Sequence, residues 1–134
     1  MNETEAFLQS LSFGVAGASR DRAKYGNMVL RALVQSGRTP VVIHPREASI
    51  EDIATFPSLA EAPSIESLAI LTPPAVTRQI VGEAVSAGVR HIWMQPGAES
   101  QEAIEEARAA GVSVVAEGPC LLVHLRFRDD DAVS

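Results

Sequence analysis

The 134-residue sequence predicts an α/β fold, a doubly wound parallel sheet with helices on both faces. Three observations carry this. Apolar, β-branched runs alternate with segments of helical spacing, the order expected of a sheet built from right-handed crossovers. Gly37, Gly88 and Gly111 each follow a helical segment at the position where a left-handed residue closes a helix. The apolar residues are mostly Val, Ala, Leu and Ile, and aromatics make up only 4%, as strands covered on both faces require.

Each element has a local reason. Residues 3–9 form a short leading helix and 11–16 the first strand. Met28, Val29, Leu30, Leu33 and Val34 give the next helix its apolar face, and 39–43 is a β-branched second strand. Residues 68–71 form the third strand. Val76, Ile80, Val81, Ala84 and Val85 then repeat the helical spacing before a fourth strand at 91–94. Ser100 is a candidate N-cap for a helix carrying Ala103, Ile104 and Ala107, and 112–116 is the fifth strand. The pattern is weak over 47–67, where 50–54 reads as a helical turn and the rest as an irregular connection. Residues 128–134, with three consecutive aspartates, read as a frayed, solvated tail. Five strands with a glycine turn after the first predict a Rossmann-like sheet, order 3-2-1-4-5, in one domain over 1–134.

Composition narrows the function. Acidic residues outnumber basic ones 17 to 11 and no basic run occurs, which argues against a nucleic-acid partner. Cys120 is the single cysteine, so neither an internal disulfide nor a thiolate metal cluster can form. His44, His91 and His124 lack ligand spacing, and no metal site is expected. Residues 1–10 have neither the basic start nor the apolar stretch of a signal peptide, and no apolar run approaches the roughly 20 residues that span a bilayer. A cytoplasmic protein without a membrane partner is the expectation.

In a doubly wound sheet, ligands bind beyond the carboxyl ends of the strands, near the point where strand order reverses. Five loops therefore matter. The first is Phe13-Gly-Val-Ala-Gly-Ala-Ser19, in which Gly17, Ala18 and Ser19 have side chains small enough to let a pyrophosphate meet the backbone and a helix N-terminus. The alternative is a tight turn that serves packing. Lys24 can reach a phosphate and Tyr25 can pack on a ligand, or they are a solvated lysine and a half-buried tyrosine.

The second strand ends in His44-Pro45-Arg46, where an NAD site would carry an acid for the ribose hydroxyls. A cation there suits a phosphorylated ribose, and coenzyme A, with its 3′-phosphate, meets that requirement; a surface arginine after a turn is the alternative. Thr72-Pro73-Pro74 makes either a rigid apolar wall for an adenine ring or pantetheine arm, or a simple helix start. Gln95 and Gly97, after the fourth strand, offer an amide and a flexible backbone to a diphosphate or a pantetheine amide, or form an ordinary turn. Trp93 reads as core. Cys120 follows the fifth strand without a visible base, and a packing role is favoured over a nucleophilic one.

With these loops together, the chain resembles small stand-alone CoA-binding domain proteins, which share a Rossmann-like fold with the nucleotide-binding part of succinyl-CoA synthetase α subunits. The resemblance spans about residues 13–125. It rests on Val15-Ala-Gly-Ala-Ser19, Lys24-Tyr-Gly-Asn27, Ile43-His-Pro-Arg46, Phe56-Pro-Ser-Leu59, Thr72-Pro-Pro74 and Trp93-Met-Gln-Pro-Gly-Ala98. It implies that Gly17, Ala18 and Ser19 hold the CoA diphosphate, that Arg46 meets the 3′-phosphate, and that Thr72, Pro73, Met94 and Gln95 line the adenine or pantetheine path. The synthetase subunits add a domain with a phosphorylated histidine that His124 does not match, so ligase activity does not transfer. The expectation is non-catalytic binding of CoA or an acyl-CoA by a protein that is not an enzyme. The alternatives are an NADP-dependent oxidoreductase, or an accessory subunit of an acyl-CoA-processing assembly. A homo-oligomer or a protein partner stays open.

Overall fold

A computed structural model describes residues 1–118 and 120–129. Helix α1 (Glu3–Leu8) leads into β1 (Phe13–Ala16), α2 (Tyr25–Gln35) and β2 (Val41–Ile43). A short hairpin, β3 (Ser49–Ile50) and β4 (Ile53–Phe56), follows, then a 3-10 turn at Leu59–Glu61 and β5 (Ser67–Ile70). The chain continues through α3 (Pro74–Ser86), β6 (His91–Met94), α4 (Gln101–Ala109), β7 (Ser113–Val115) and α5 (Leu121–His124).

All strands join one sheet in the order β3-β4-β2-β1-β5-β6-β7, parallel throughout except for the β3–β4 pair. The expected five-strand order needs correction. It placed residues 68–71 at an edge, whereas this segment, as β5, pairs directly with β1 at the centre. The place outside β2 belongs to β4, in the stretch where no strand was read, and residues 50–54 are part of a hairpin rather than a helical turn. Its turn residues Glu51 and Asp52 both have positive φ, 51° and 63°, which is type I′ geometry made without the usual glycine or asparagine.

The period of two along each strand sorts the core into two layers. Phe13, Val15, Val42, Ala69 and Trp93 face α1, α2 and α5, where they meet Phe7, Leu30, Leu33 and Leu121. Ala16, Leu68, Ile70, Ile92 and Met94 face the opposite way, onto Val81 and Ala84 of α3 and Ala103, Ile104 and Ala107 of α4. Trp93 is fully buried, edge-on to Phe7 at 5.4 Å and to His124 at 5.3 Å between ring centres.

Helix ends follow ordinary capping chemistry, with Ser100 and the three closing glycines as expected and Asn2 an additional cap. Asn2 caps α1 by accepting from Glu5 N–H at 2.8 Å, and Ser100 caps α4 by accepting from Ala103 N–H at 3.3 Å. Gly37, Gly88 and Gly111 all take positive φ after their helices. At the sheet edge, Val114 N–H donates to the Glu3 carboxylate at 2.9 Å, so α1 covers the outward side of β7. Arg128 and Asp129 depart from the frayed tail expected of them. Arg128 N–H donates to the Gln35 side chain at 3.1 Å, and the Asp129 carboxylate meets the Arg31 guanidinium at 2.7 Å. Residues 130–134 of that tail lie outside the described residues.

Trp93→Ala should cost about 3–5 kcal/mol of stability, because both aromatic contacts and the filled space under α1 and α5 vanish together. Urea unfolding followed by circular dichroism measures this directly. A loss below about 1 kcal/mol would mean that the layer collapses around the gap.

Candidate functional site

The carboxyl ends of β1, β2, β5 and β6 border an open cleft of about 1160 Å3. Two crossovers create it. Helix α2 leaves β1 toward one face of the sheet and α3 follows β5 on the other, so their N-termini flank the gap from opposite sides. Neither helix has a side-chain cap: Lys24 and Pro73 occupy the N-cap positions, and only their backbone carbonyls accept hydrogen bonds there. The first amides of α2, and that of Ala75 in α3 after a Pro74 that has no N–H, have no carbonyl within the helix to bond. Their partial positive charge faces the cleft, as an anion would require.

Two glycines bring α2 this close. Gly17 has φ +97°, and a Cβ on it would lie 2.7 Å from the Leu71 carbonyl carbon and 3.0 Å from Thr72 N. A Cβ on Gly26, in the first turn of α2, would overlap the carbonyl oxygen of Gly17 and come within 3.2 Å of Ala18 Cα. Backbone thus packs on backbone at both places, and neither contact can yield as a flexible side chain would. Gly17 therefore serves the fold itself, whatever else the loop binds.

The nominated residues converge here with two exceptions. Ala18, Ser19, Lys24, Tyr25, His44, Arg46, Thr72, Pro73, Pro74, Gln95, Gly97 and Gly17 itself all line the cleft. Pro45 is exposed in the same turn but does not line it. Met94 is a correction: it is 1% exposed and packs with Ile92 on the α3 and α4 side, because strand alternation turns it away from the opening. Tyr25 is 64% exposed at the rim, so the half-buried alternative is not what the structure shows.

Arg20, Asp21, Gly26, Glu47, Leu71 and Ala98 also contribute to the lining and were not singled out from the sequence. The glycine loop and the turn after β2 were the signal for Arg20 and Glu47, whose side chains pair at 3.2 Å. Lys24 and Arg46 have no ion pair and no side-chain hydrogen bond among the described residues. They remain the cleft's uncommitted cations in a chain of net charge −6.

Polar atoms around the cleft are otherwise engaged. His44 Nδ1 accepts from the amides of Arg46 at 3.1 Å and Glu47 at 2.9 Å, so its proton sits on Nε2 and the ring pins the turn. Thr72 Oγ1 and Thr77 Oγ1 share a hydrogen bond of 2.8 Å at the start of α3. Gln95 departs from the free amide expected of it. It is 3% exposed, its Oε1 accepts from Leu121 N–H at 2.6 Å, and its Nε2 donates to Cys120 Sγ at 3.2 Å. A buried amide must satisfy both ends, and here it does so by holding α5 to the floor of the cleft. Cys120 is half-buried and does not line the cleft. Among the described residues no group of three His, Cys, Asp or Glu side chains is close enough to hold a metal ion. No helix among them is long and apolar enough to cross a membrane.

Residues 12–126 match the model of the CoA-binding domain. The chain belongs to this family. Its structure is similar to that of a conserved hypothetical protein from Pyrococcus furiosus, with 35% identity, a TM-score of 0.79, and 84% of this chain covering 97% of that one. It also resembles a Thermus thermophilus protein, with 26% identity, a TM-score of 0.83, and 94% and 98% of the two chains covered. A dinucleotide-forming acetyl-coenzyme A synthetase from Ca. Korarchaeum cryptofilum shares the fold at 23% identity and a TM-score of 0.75. There 87% of this chain covers 27% of the synthetase. No curated protein sequence matches the chain closely.

Gly26→Ala should destabilise the domain by about 1–3 kcal/mol, since the new methyl group has to push the glycine loop off the helix. Gly82→Ala is the contrast. It is mid-helix in α3, and its new Cβ would meet only the flexible Glu106 carboxylate at 3.6 Å. It should be neutral or stabilising by up to about 1 kcal/mol. Thermal unfolding of both variants checks the pair, and similar losses in both would contradict the close-approach argument.

Proposed function

We propose that this cleft binds coenzyme A or an acyl-CoA, and that the protein is a cytoplasmic, non-catalytic holder of that ligand. The observation that carries the reading is Arg46: at the end of β2 it lines the same cleft as the Gly17 loop. No partner engages its guanidinium among the described residues. An NAD site needs an acid there to accept from the ribose hydroxyls, whereas a planar guanidinium suits a ribose phosphate.

The remaining surfaces suit the rest of a CoA molecule. The amides of Ala18 and Ser19, with the start of α2, meet a diphosphate, and Lys24 adds a mobile charge at that end. Pro73, Pro74 and Pro96 supply rigid apolar walls for adenine and the pantetheine arm. The volume is that of a large ligand rather than a metabolite of a few atoms. Membership of the CoA-binding domain family supports the same choice.

Two other readings share some of these features. An NADP-dependent reductase would also place a phosphorylated ribose against Arg46. An accessory subunit would present bound acyl-CoA to a partner. Ligand preference separates the first from the leading reading. Titration calorimetry should show CoA binding and no comparable NAD or NADP binding. Arg46→Ala should weaken CoA by about 1.5–3 kcal/mol while leaving dephospho-CoA nearly unchanged, because a charge-assisted contact to the 3′-phosphate is lost. Equal losses for both ligands would remove Arg46 from that role.

The non-catalytic part of the reading rests on how the candidate reactive groups are used. The Cys120 sulfur accepts from Gln95 outside the cleft lining, and His44 Nδ1 already takes two amide hydrogens. A nucleophile needs a base within hydrogen-bond reach, and neither residue supplies that pairing. Thioester hydrolysis of an acyl-CoA should therefore stay at the buffer rate for wild type and Cys120→Ser alike, with equal CoA affinity. Turnover by wild type that disappears in the variant would make the protein an enzyme.

A further inference from the structure

Behind the glycine loop lies a buried polar chain that the packing of the fold does not call for. Asn27 is fully buried and Arg31 is 4% exposed, one turn apart on the inner side of α2. Asn27 Nδ2 donates to the Ser19 carbonyl at 2.8 Å and to the Glu51 carboxylate at 3.0 Å. Arg31 Nε donates to Asn27 Oδ1 at 2.7 Å, and its NH2 group donates to the Arg22 carbonyl at 2.9 Å. The other arm of the guanidinium meets Asp129 at 2.7 Å, with the Phe127 ring beneath it at 5.1 Å. The donor and acceptor pattern settles the orientation of the Asn27 amide, since Nε of Arg31 can only donate.

Burying a guanidinium is costly, and an apolar residue of similar volume commonly serves packing as well or better. What this one holds is therefore informative. Together the pair reaches both ends of the loop from Ser19 to Arg22: Asn27 holds the Ser19 carbonyl and the β3–β4 hairpin tip at Glu51, and Arg31 holds the Arg22 carbonyl and Asp129 after α5. Ser19 and Arg20 line the cleft while Asn27 and Arg31 do not. The bonded carbonyls point toward the buried pair, away from the space an anion would take, while within the loop Asp21 N–H donates to the Ser19 hydroxyl at 3.1 Å.

We propose that Asn27 and Arg31 are positioning residues for diphosphate binding. They draw the Ser19 and Arg22 carbonyls out of the cleft, and Asp129 and Phe127 brace the guanidinium that does so. This role rests on CoA occupying the cleft. It adds that affinity is set partly by residues that never touch the ligand, including two from beyond the last helix.

Asn27→Asp is the sharpest test. It keeps the volume and the acceptor for Arg31 but replaces the donor to Ser19 with a carboxylate oxygen. CoA affinity by calorimetry should fall on the order of tenfold or more, the scale of a lost hydrogen bond plus an unsatisfied carbonyl. Without ligand, the amides of residues 19–23 should exchange hydrogen faster while those of β6 keep their protection. Glu51→Gln in the Asn27→Asp background should recover part of the affinity by removing the facing charge. Arg31→Lys and Asp129→Ala, which keep the Asn27 donor, should each weaken CoA by a smaller factor and serve if Asn27→Asp does not fold. Wild-type affinity in folded Asn27→Asp, or in both milder variants, overturns the positioning role while CoA binding by the wild type stands. A wild type that fails to bind CoA overturns the cleft reading and this role with it.

Discussion

The structure depends on one topological constraint, the reversal of strand order around β1. The chain runs outward from β1 to β2 and β4 on one side, then returns to start again at β5 on the other. Crossover helices on the two sides must cover opposite faces, so α2 and α3 diverge exactly where β1 and β5 end side by side. A gap at that point cannot be filled by either helix. It brings two helix N-termini to one space, and it forces the loop after β1 to turn within van der Waals reach of both β5 and α2. Gly17 and Gly26 answer that crowding before any ligand is considered.

Electrostatics within the gap run against the character of the chain as a whole. The protein is acidic overall, yet Lys24 and Arg46 stand uncommitted at the cleft among the described residues, and the two adjoining helices lack side-chain caps. Away from the cleft, α1 and α4 are capped by Asn2 and Ser100. Arg20 is already paired with Glu47 across the rim. Since the Arg20 end of that pair is largely exposed, the pair is worth little. The cations at the cleft thus stand out locally against a chain of net charge −6.

Much of this was legible from local chemistry. The helices that close on Gly37, Gly88 and Gly111 and the Ser100 cap follow from signals one turn long. The cleft was legible because strand-end loops in a parallel sheet must meet at the reversal. The hairpin was not, because Ser49 and Ala54 are exposed, its first strand has two residues, and its turn uses Glu51 and Asp52 where glycine or asparagine is usual. Helix α5 is a single turn without a repeat to read, and its anchor, Gln95, lies far back in the chain. Asn27 stood in a motif, but its meaning depends on Glu51 and Arg31, and that of Arg31 on Asp129, 98 residues away. Partners at such separation leave no trace in periodicity. Met94 is the opposite case: the family resemblance implies that it lines the ligand path, and the pleat turns it inward.

The Glu3 carboxylate on Val114 has a consequence for how copies of this protein behave toward one another. An open sheet presents two rows of edge amides, and each is a template on which a foreign strand can zip. Here one edge has its outward amide occupied by a side chain from α1, and the other ends in a strand of two residues. Neither margin offers a run long enough to propagate a ladder. Both margins of the sheet are thereby blunted against pairing edge to edge with another copy.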